Sequence, residues 1–299
     1  MSRSLALITV ALAGILWASS GVAVQDFFAH STKSAIDLTN IRLILAGLIL
    51  LLIAWRNGGL QKSLSVLKFN PKISIDLIIY GIFGMGLIQF SYFEGISIGG
   101  AAATTVIQYS CPALVIIWNS MYNKRLPKIG ELLAVTFATV GVILLVTGGN
   151  FDKLIVPLAC IIWSLISGVS FAFSSIYPKH LLAAKIDQFF LTGIGMLIGG
   201  ILSFAIVDEI NWRPFFEVDV IFDFVWIIIF GTVIPFLSYN LGLKYLTPEE
   251  ASVTAATEPL ASVIISYFIF GTAFGIMESI GIFLVIIAIL SPTFFDKRK

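Results

Sequence analysis

Few groups able to bind a solute or carry charge stand inside the most apolar stretches of this sequence, and the sharpest of them is Glu258. It directly precedes Pro259 in a small-residue run, Ala251-Ser252-Val253-Thr254-Ala255-Ala256-Thr257, and no further charge follows before Phe270. Glu258 lies nine residues beyond Glu249, roughly 13 Å along a helix. That depth is near the middle of a hydrocarbon layer about 30 Å thick. An acid there costs on the order of 2.5–3.5 kcal/mol on insertion scales, and ionisable residues so placed default to a function. Two functions suit a carboxylate: carrying a proton, or facing the positive charge of an amine. The structural alternative is a polar group hydrogen-bonded beside a kink. Pro259 has no backbone N–H, so in a continuous helix the carbonyl of Ala255 would lack its usual donor. Lipid cannot supply one, so this face should look at protein or at water. Thr254 and Ser262, four residues either side of Glu258, continue a polar stripe on the same face. Cavity lining and small-residue helix packing account for these two equally well.

The same design occurs 147 positions earlier. Ser91-Tyr92 matches Ser238-Tyr239, Gly95 matches Gly242, Val106 matches Val253, Pro112 matches Pro259, and Glu131 matches Glu278 without a gap. At the midplane of the first copy, Gln108, Tyr109 and Cys111 stand where the second has Ala255, Ala256 and Glu258. Each copy is expected to be a helix of small residues broken at its proline, Pro112 or Pro259. Trp17 and Trp163 occupy corresponding places in the first helix of each half. Gly21 and Gln25 continue one stripe from Trp17, and Ser167, Ser170 and Ser174 continue the other from Trp163. Tryptophans are usually interfacial anchors, but both lie deep within their spans, which favours cavity lining. Tyr92 and Tyr239 read either as gates at opposite ends of a cavity or as members of an interfacial belt. Arg42, the one basic residue within a span, is placed to snorkel, to pair with Asp37 or to meet a substrate carboxylate.

The elements that must position these groups follow from composition. Of 299 residues, 58% are hydrophobic and 12% charged, about half the usual charged share of a soluble domain. This is an integral membrane protein. Apolar runs predict ten helices at approximately 5–27, 37–55, 73–94, 99–122, 129–148, 154–176, 187–207, 221–243, 249–270 and 275–294. The connections are short apart from a loop around 56–72. The first run is long for a cleaved signal and reads as a retained helix. Of the 18 Lys and Arg residues, fourteen fall on the side of the N-terminus, Lys33, Lys153 and Arg213 on the other, and Arg42 within a span. The positive-inside rule therefore puts both termini in the cytoplasm, with the acidic 208–219 loop outside. Ten spans divide into halves 1–148 and 154–299. Five is odd, so the second half enters the membrane from the opposite side. The expected fold is all-α and polytopic: ten transmembrane helices as two inverted five-helix repeats, with a solute site near the midplane where helices are broken.

The ten spans, the five-plus-five repeat and the small-residue fourth and ninth helices resemble the EamA-type branch of the drug/metabolite transporter superfamily. The telling stretches are Gly100-Ala101-Ala102-Ala103-Thr104-Thr105 with Pro112, and Pro248-Glu249-Glu250-Ala251-Ser252 with Glu258-Pro259. The resemblance covers essentially the whole chain. It implies a carrier of small metabolites in a bacterial-type inner membrane, often an exporter of amino acids. It also implies a basket in which helices 1–4 and 6–9 surround a central cavity while helices 5 and 10 pack at the side.

Other classes find less support. A membrane enzyme needs clustered acids, histidines or a nucleophile with a base, and none is visible. No phosphate-binding loop points to direct use of ATP, and no Cys/His cluster has metal spacing, so neither cofactor nor metal is expected. His30 and His180 read as solvated loop residues. Cys111 and Cys160 both fall in apolar runs, which speaks against a disulfide. A net charge of +1 points to no nucleic-acid partner; the expected partners are the bilayer, a small-molecule substrate and, in the coupled reading, protons. Within transport, export of amino acids or related metabolites leads. Organic cations and quaternary amines follow, held by Glu258 and aromatic faces such as Trp17 and Trp163. Nucleotide-linked sugars fit poorly, because the spans lack basic residues for a diphosphate. A receptor or structural membrane protein has no evident need of a duplicated inverted repeat.

Overall fold

The computed structural model describes residues 1–110, 116, 124, 126–204, 215, 217–242, 244–246, 251 and 254–295, and the regular structure among them is helical throughout. Helix α1 (Arg3–His30) starts at Ser2, whose hydroxyl accepts from the Leu5 amide at 3.3 Å. Helix α2 (Ala35–Arg56) opens on a capping box: the Ser34 hydroxyl accepts from the Asp37 amide, and the Asp37 carboxylate accepts from the Ser34 amide at 3.1 Å. Such reciprocal caps satisfy backbone donors left over at a helix start.

The expected loop at 56–72 is a correction: most of it is helix α3 (Gly59–Phe69). Gly58 takes the left-handed φ of 73° needed to turn out of α2. The buried Ser63 hydroxyl then accepts from the Asp187 amide at 2.9 Å, docking α3 against the segment that precedes Gln188.

The third span is one continuous helical stretch of unlike parts. Helix α4 (Lys72–Ile79) widens into a π-helical segment (Tyr80–Gly86) and resumes as α5 (Leu87–Gly99). Further along, α11 (Val218–Ile228) does the same through a π-helical segment (Ile229–Val233) into α12 (Ile234–Gly242). Shifted by 147, Tyr80–Gly86 falls on 227–233, so the wide turns occupy matching positions. Hydrophobic periodicity carries no signal for them. A π-turn shifts the hydrogen-bond ladder by one residue, and such segments often occur at functional sites.

The remaining helices among the described residues are α6 (Ala101–Gln108), α7 (Ile129–Thr147), α8 (Leu158–Ile176), the short α9 (Lys179–Ala183), α10 (Gln188–Phe204), α13 (Thr257–Phe270) and α14 (Ile276–Phe295). Small residues bring them together, as is usual in membranes. A Cβ on Gly141 of α7 would stand 2.6 Å from the Gly281 carbonyl of α14, and one on Gly281 would stand 2.5 Å from the Gly141 carbonyl. Gly47 of α2 and Gly193 of α10 approach each other in the same reciprocal way.

Among the described residues six stretches are long and apolar enough to cross a membrane: Arg3–His30, Ala35–Arg56, Lys72–Gly99, Ile129–Thr147, Leu158–Ala183 and Val220–Gly242. Gln188–Phe204, Thr257–Phe270 and Ile276–Ser291 are apolar but shorter. All nine coincide with expected spans. The fourth expected span, 99–122, is described as helix α6 and a turn up to Ser110. Cys111, Pro112, Ser252 and Glu249 lie outside the described residues.

Candidate functional site

The second small-residue segment is helical at Thr254 and Ala255, turns at Ala256 (φ −64°, ψ 0°), and restarts as α13 at Thr257. Pro259 is therefore the third residue of a new helix, where a missing N–H forfeits no intrahelical bond. This corrects the expectation that the proline itself breaks a running helix. The Ala255 carbonyl has a neighbour in the Tyr109 hydroxyl at 3.5 Å. Glu258 sits in the first turn of α13, the end of a helix dipole that favours negative charge.

Tyr109 comes from the other break. It ends α6 with φ −73° and ψ 4°, nearly the geometry of Ala256, its counterpart at an offset of 147. Its hydroxyl donates to Glu258 Oε2 at 2.6 Å. Glu258 is only 8% exposed, so this charge-assisted bond lies inside the protein. The approach of α1 makes room for it. Thr257 donates to the Ala11 carbonyl at 3.1 Å, and any side chain at Gly14 would collide with the Thr257 hydroxyl and come within 3.0 Å of the Ala255 carbonyl.

Ser262, one turn beyond Glu258, is fully buried and donates to Thr105 Oγ1 at 3.4 Å; Thr105 shares a 2.7 Å hydrogen bond with the Tyr92 hydroxyl. Gly21 fits under that hydroxyl because a Cβ there would stand 2.6 Å from it. Thus Glu258, Tyr109 and Ser262 are brought together, and Thr105 and Tyr92 join them. Tyr92 is a buried member of the site rather than an interfacial residue.

Arg42 departs from two of the three placements that the sequence left open. It neither snorkels nor pairs with Asp37, which is occupied by Ser34 and by Lys33 at 3.9 Å. Arg42 is 3% exposed and points inward. Its Nε donates to Thr232 Oγ1 at 2.6 Å, Nη1 to Gln89 Oε1 at 2.8 Å and Nη2 to the Gly231 carbonyl at 3.1 Å. The guanidinium lies over the Phe93 ring at 4.9 Å, a favourable cation–π distance. Gly231 and Thr232 belong to the second π-segment, and Thr232 also donates to the Ile227 carbonyl five residues back. Gln89 and Thr232 carried no sequence signal beyond being polar in an apolar run, and Thr105 only its place in the Gly100–Thr105 stretch. Arg42 carried one, its rarity.

Other expected residues go elsewhere. Trp17 packs with Phe236 and Tyr239, ring centroids 5.3 and 5.7 Å away, beside Ala251 and Ala255. Trp163 meets Phe90 edge-on at 5.3 Å in a separate aromatic contact. Gln25 accepts from the Ala101 amide at 2.8 Å, capping the start of α6 where Gly100 has φ 81°. Gln108 donates to Ser167 at 2.6 Å, and Ser167 donates to the Ile88 carbonyl at 3.0 Å, tying α6, α8 and α5 together. Thr254 is half-buried on the helical piece before the break. Cys160 is a free, buried thiol. Among the described residues no group of three His, Cys, Asp or Glu could hold a metal. A cavity of about 200 Å³ lies at the end of the bundle near Gln25, Gly100, Leu145 and Glu278, and Glu258 does not line it.

Comparison with known proteins fits this arrangement. The model of the EamA-like transporter family matches residues 4–147 and again 158–292. An uncharacterized inner membrane transporter of Salmonella typhimurium, YicL, is 28% identical over 293 residues, spanning 98% of this chain and 96% of its own length. An uncharacterized transporter of Bacillus subtilis, YyaM, is 24% identical over 89% of this chain and 85% of its own. One crystal structure shares the fold at a TM-score of 0.64 and 17% identity, covering 98% of this chain and 97% of that one.

Proposed function

The chain belongs to the EamA-like transporter family, and from that premise we propose that it is a secondary transporter of small organic metabolites, with export of amino acids or related compounds as its leading activity. It is a multi-pass membrane transporter, and its inner-membrane relatives support the same location. The family match falls on carriers rather than enzymes.

The observation that carries the reading is Glu258: a buried acid at the restart of a broken helix, bonded across the molecule to Tyr109 of the matching break. Helix breaks near the midplane are where such folds bind solutes. An acid at one of them, and none at its described counterpart, gives a single site for a proton or an amine. We read the chain as two inverted five-helix repeats, 1–148 and 154–299, around this point, with both termini cytoplasmic. Three features support the duplication: the separate family matches, the equivalent turns at Tyr109 and Ala256, and the equivalent starts of α7 and α14 at Ile129 and Ile276. The Lys and Arg distribution supports the orientation.

The test is solute flux in proteoliposomes holding the purified protein, with and without an imposed pH gradient. Movement of amino acids that follows the gradient is the expected result. Absence of flux for amino acids and organic amines alike would favour a receptor or structural role. Flux of organic cations alone would favour the amine reading, in which Glu258 and nearby aromatic faces hold the charge.

A further inference from the structure

Three helices run from the Tyr109–Glu258 bond to the cavity at the end of the bundle. On α13, Ser262 and Ser266 follow Glu258 at four-residue steps, on one helical face. The helix ends at Phe270, roughly 18 Å beyond Glu258 along its axis, and Thr272 just past it lines the cavity. On α6 the order is reversed: Ala102 and Ala103 line the cavity, Thr105 follows, and Tyr109 ends the helix at the acid. On α1, Gly14 meets the backbone at Ala255 and Glu258, Gly21 lies under the Tyr92 hydroxyl beside Ala101, and Gln25 lines the cavity. Acid and cavity are therefore the two ends of one seam. Gln25 is near the end of α1 remote from Arg3, and Glu278 is in the first turn of α14, so the cavity opens on the face away from Arg3 and Phe295.

Between its ends the seam is shut. The Tyr92 hydroxyl of α5 shares a 2.7 Å hydrogen bond with Thr105 of α6, and Ser262 of α13 donates to Thr105 at 3.4 Å. Thr105 and Ser262 have no exposed surface, and Tyr92 is 8% exposed. The neighbours Gly21, Ala101 and Ser266 are small, so the Tyr92 ring supplies most of the bulk. Ser266 adds an independent observation. Its hydroxyl is 1% exposed and has no hydrogen-bond partner, which is costly for a buried polar group. Water or a polar solute entering the seam from the cavity would satisfy it. At the other end of the break, Tyr239, the counterpart of Tyr92, packs on the Trp17 ring at 5.7 Å beside Ala251 and Ala255.

We propose that the seam between α1, α6 and α13 is the path of the solute between Glu258 and the cavity, and that the trio Tyr92, Thr105 and Ser262 is the latch that closes it. The proposal rests on the transport reading and names what regulates access to its site. The competing account is that the three hydroxyls merely hold packed helices together, as polar side chains do in membranes.

Cysteine labelling separates the two. Full-length protein with Cys111 and Cys160 replaced by serine is placed in vesicles and treated with a membrane-impermeant methanethiosulfonate reagent. Thr272→Cys, at the cavity, should react from the face away from Arg3. Ser266→Cys, in the shut seam, should react at least about tenfold more slowly. Adding Tyr92→Phe, which removes one hydroxyl and keeps the ring, should speed Ser266→Cys about fivefold and leave Thr272→Cys unchanged, because one lost hydrogen bond shifts the closed-to-open balance by about that factor. Thr105→Val removes the same bond from the other side and decides the matter if Tyr92→Phe does not fold. Equal reactivity of Ser266→Cys and Thr272→Cys in otherwise unaltered protein would overturn the proposal. So would a lowered melting temperature with unchanged Ser266→Cys labelling in both hydroxyl variants, the result the packing account expects. Flux is measured apart from labelling: a latch that opens as described in a protein that moves no solute would sink the transport reading and leave the latch standing.

Discussion

The two broken segments share a backbone and differ in chemistry. Tyr109 and Ala256 turn with almost the same dihedral angles at positions 147 apart. Left-handed backbone recurs at the same offset, at Lys124 (φ 48°) and Gly271 (φ 65°). At the turn itself the first copy offers a phenol and the second a methyl group; two residues past its turn, the second offers a carboxylate. The result is a bond from Tyr109 to Glu258, beside the one from Ser262 to Thr105. On the proposed two-repeat reading, duplication would supply two similar helix ends, and divergence would make one the donor and the other the acid. The first copy is also locked from behind by Gln108, Ser167 and Ile88, whereas the second is held by α1 through Thr257 and Gly14.

The strongest way to break this comparison is to push the second segment away from α1. Gly14→Leu should abolish transport and sharply lower the melting temperature in detergent, because its side chain meets the Thr257 hydroxyl and the Ala255 backbone carbonyl, and backbone cannot yield cheaply. Tyr109→Phe comes next. It strips a buried carboxylate of its hydrogen bond, at a cost of about 1–3 kcal/mol, and should reduce flux about tenfold while the protein still folds. Unchanged flux in Tyr109→Phe would mean that the link between the two copies is incidental. Ser167→Ala removes the lock behind the first break. We expect a fall of a few degrees in melting temperature with the pH dependence of transport intact, which separates scaffold from site. Pro259→Ala should do least, within about 0.5 kcal/mol of wild type, since Pro259 starts a helix and forfeits no bond. A large loss of transport in that variant would restore the view that the proline creates the break.

Much of the scaffold was legible in the sequence because its cause is local. Apolar length and small-residue runs located the helices, and the 147-residue offset located the two turns to within a few residues. The carboxylate at 258 was legible for the same reason: an acid in apolar sequence is costly wherever it points. The partners were not. Whether Arg42 reaches lipid headgroups or the interior depends on which face of α2 meets the π-segment at Gly231–Thr232, and a π-turn leaves no mark on periodicity. Gln25 and Ser167 read as cavity lining because they share a stripe with a tryptophan. Their targets, the Ala101 amide and the Ile88 carbonyl, are backbone groups exposed only by tertiary geometry. Helix α3 was read as a loop because its polar residues hide a single docking face around Ser63.

The central claim is that Glu258 is the working acid of a transport site, and Glu258→Gln tests it most directly because it removes the charge and keeps the shape. Gradient-driven flux and substrate exchange are measured side by side in proteoliposomes, across a range of pH, for the variant and the wild type. If the acid carries protons, the variant loses gradient-driven flux by at least about tenfold and keeps exchange. If it faces an amine, exchange falls as well, through weaker binding. Wild-type pH dependence together with wild-type affinity in Glu258→Gln would contradict the account.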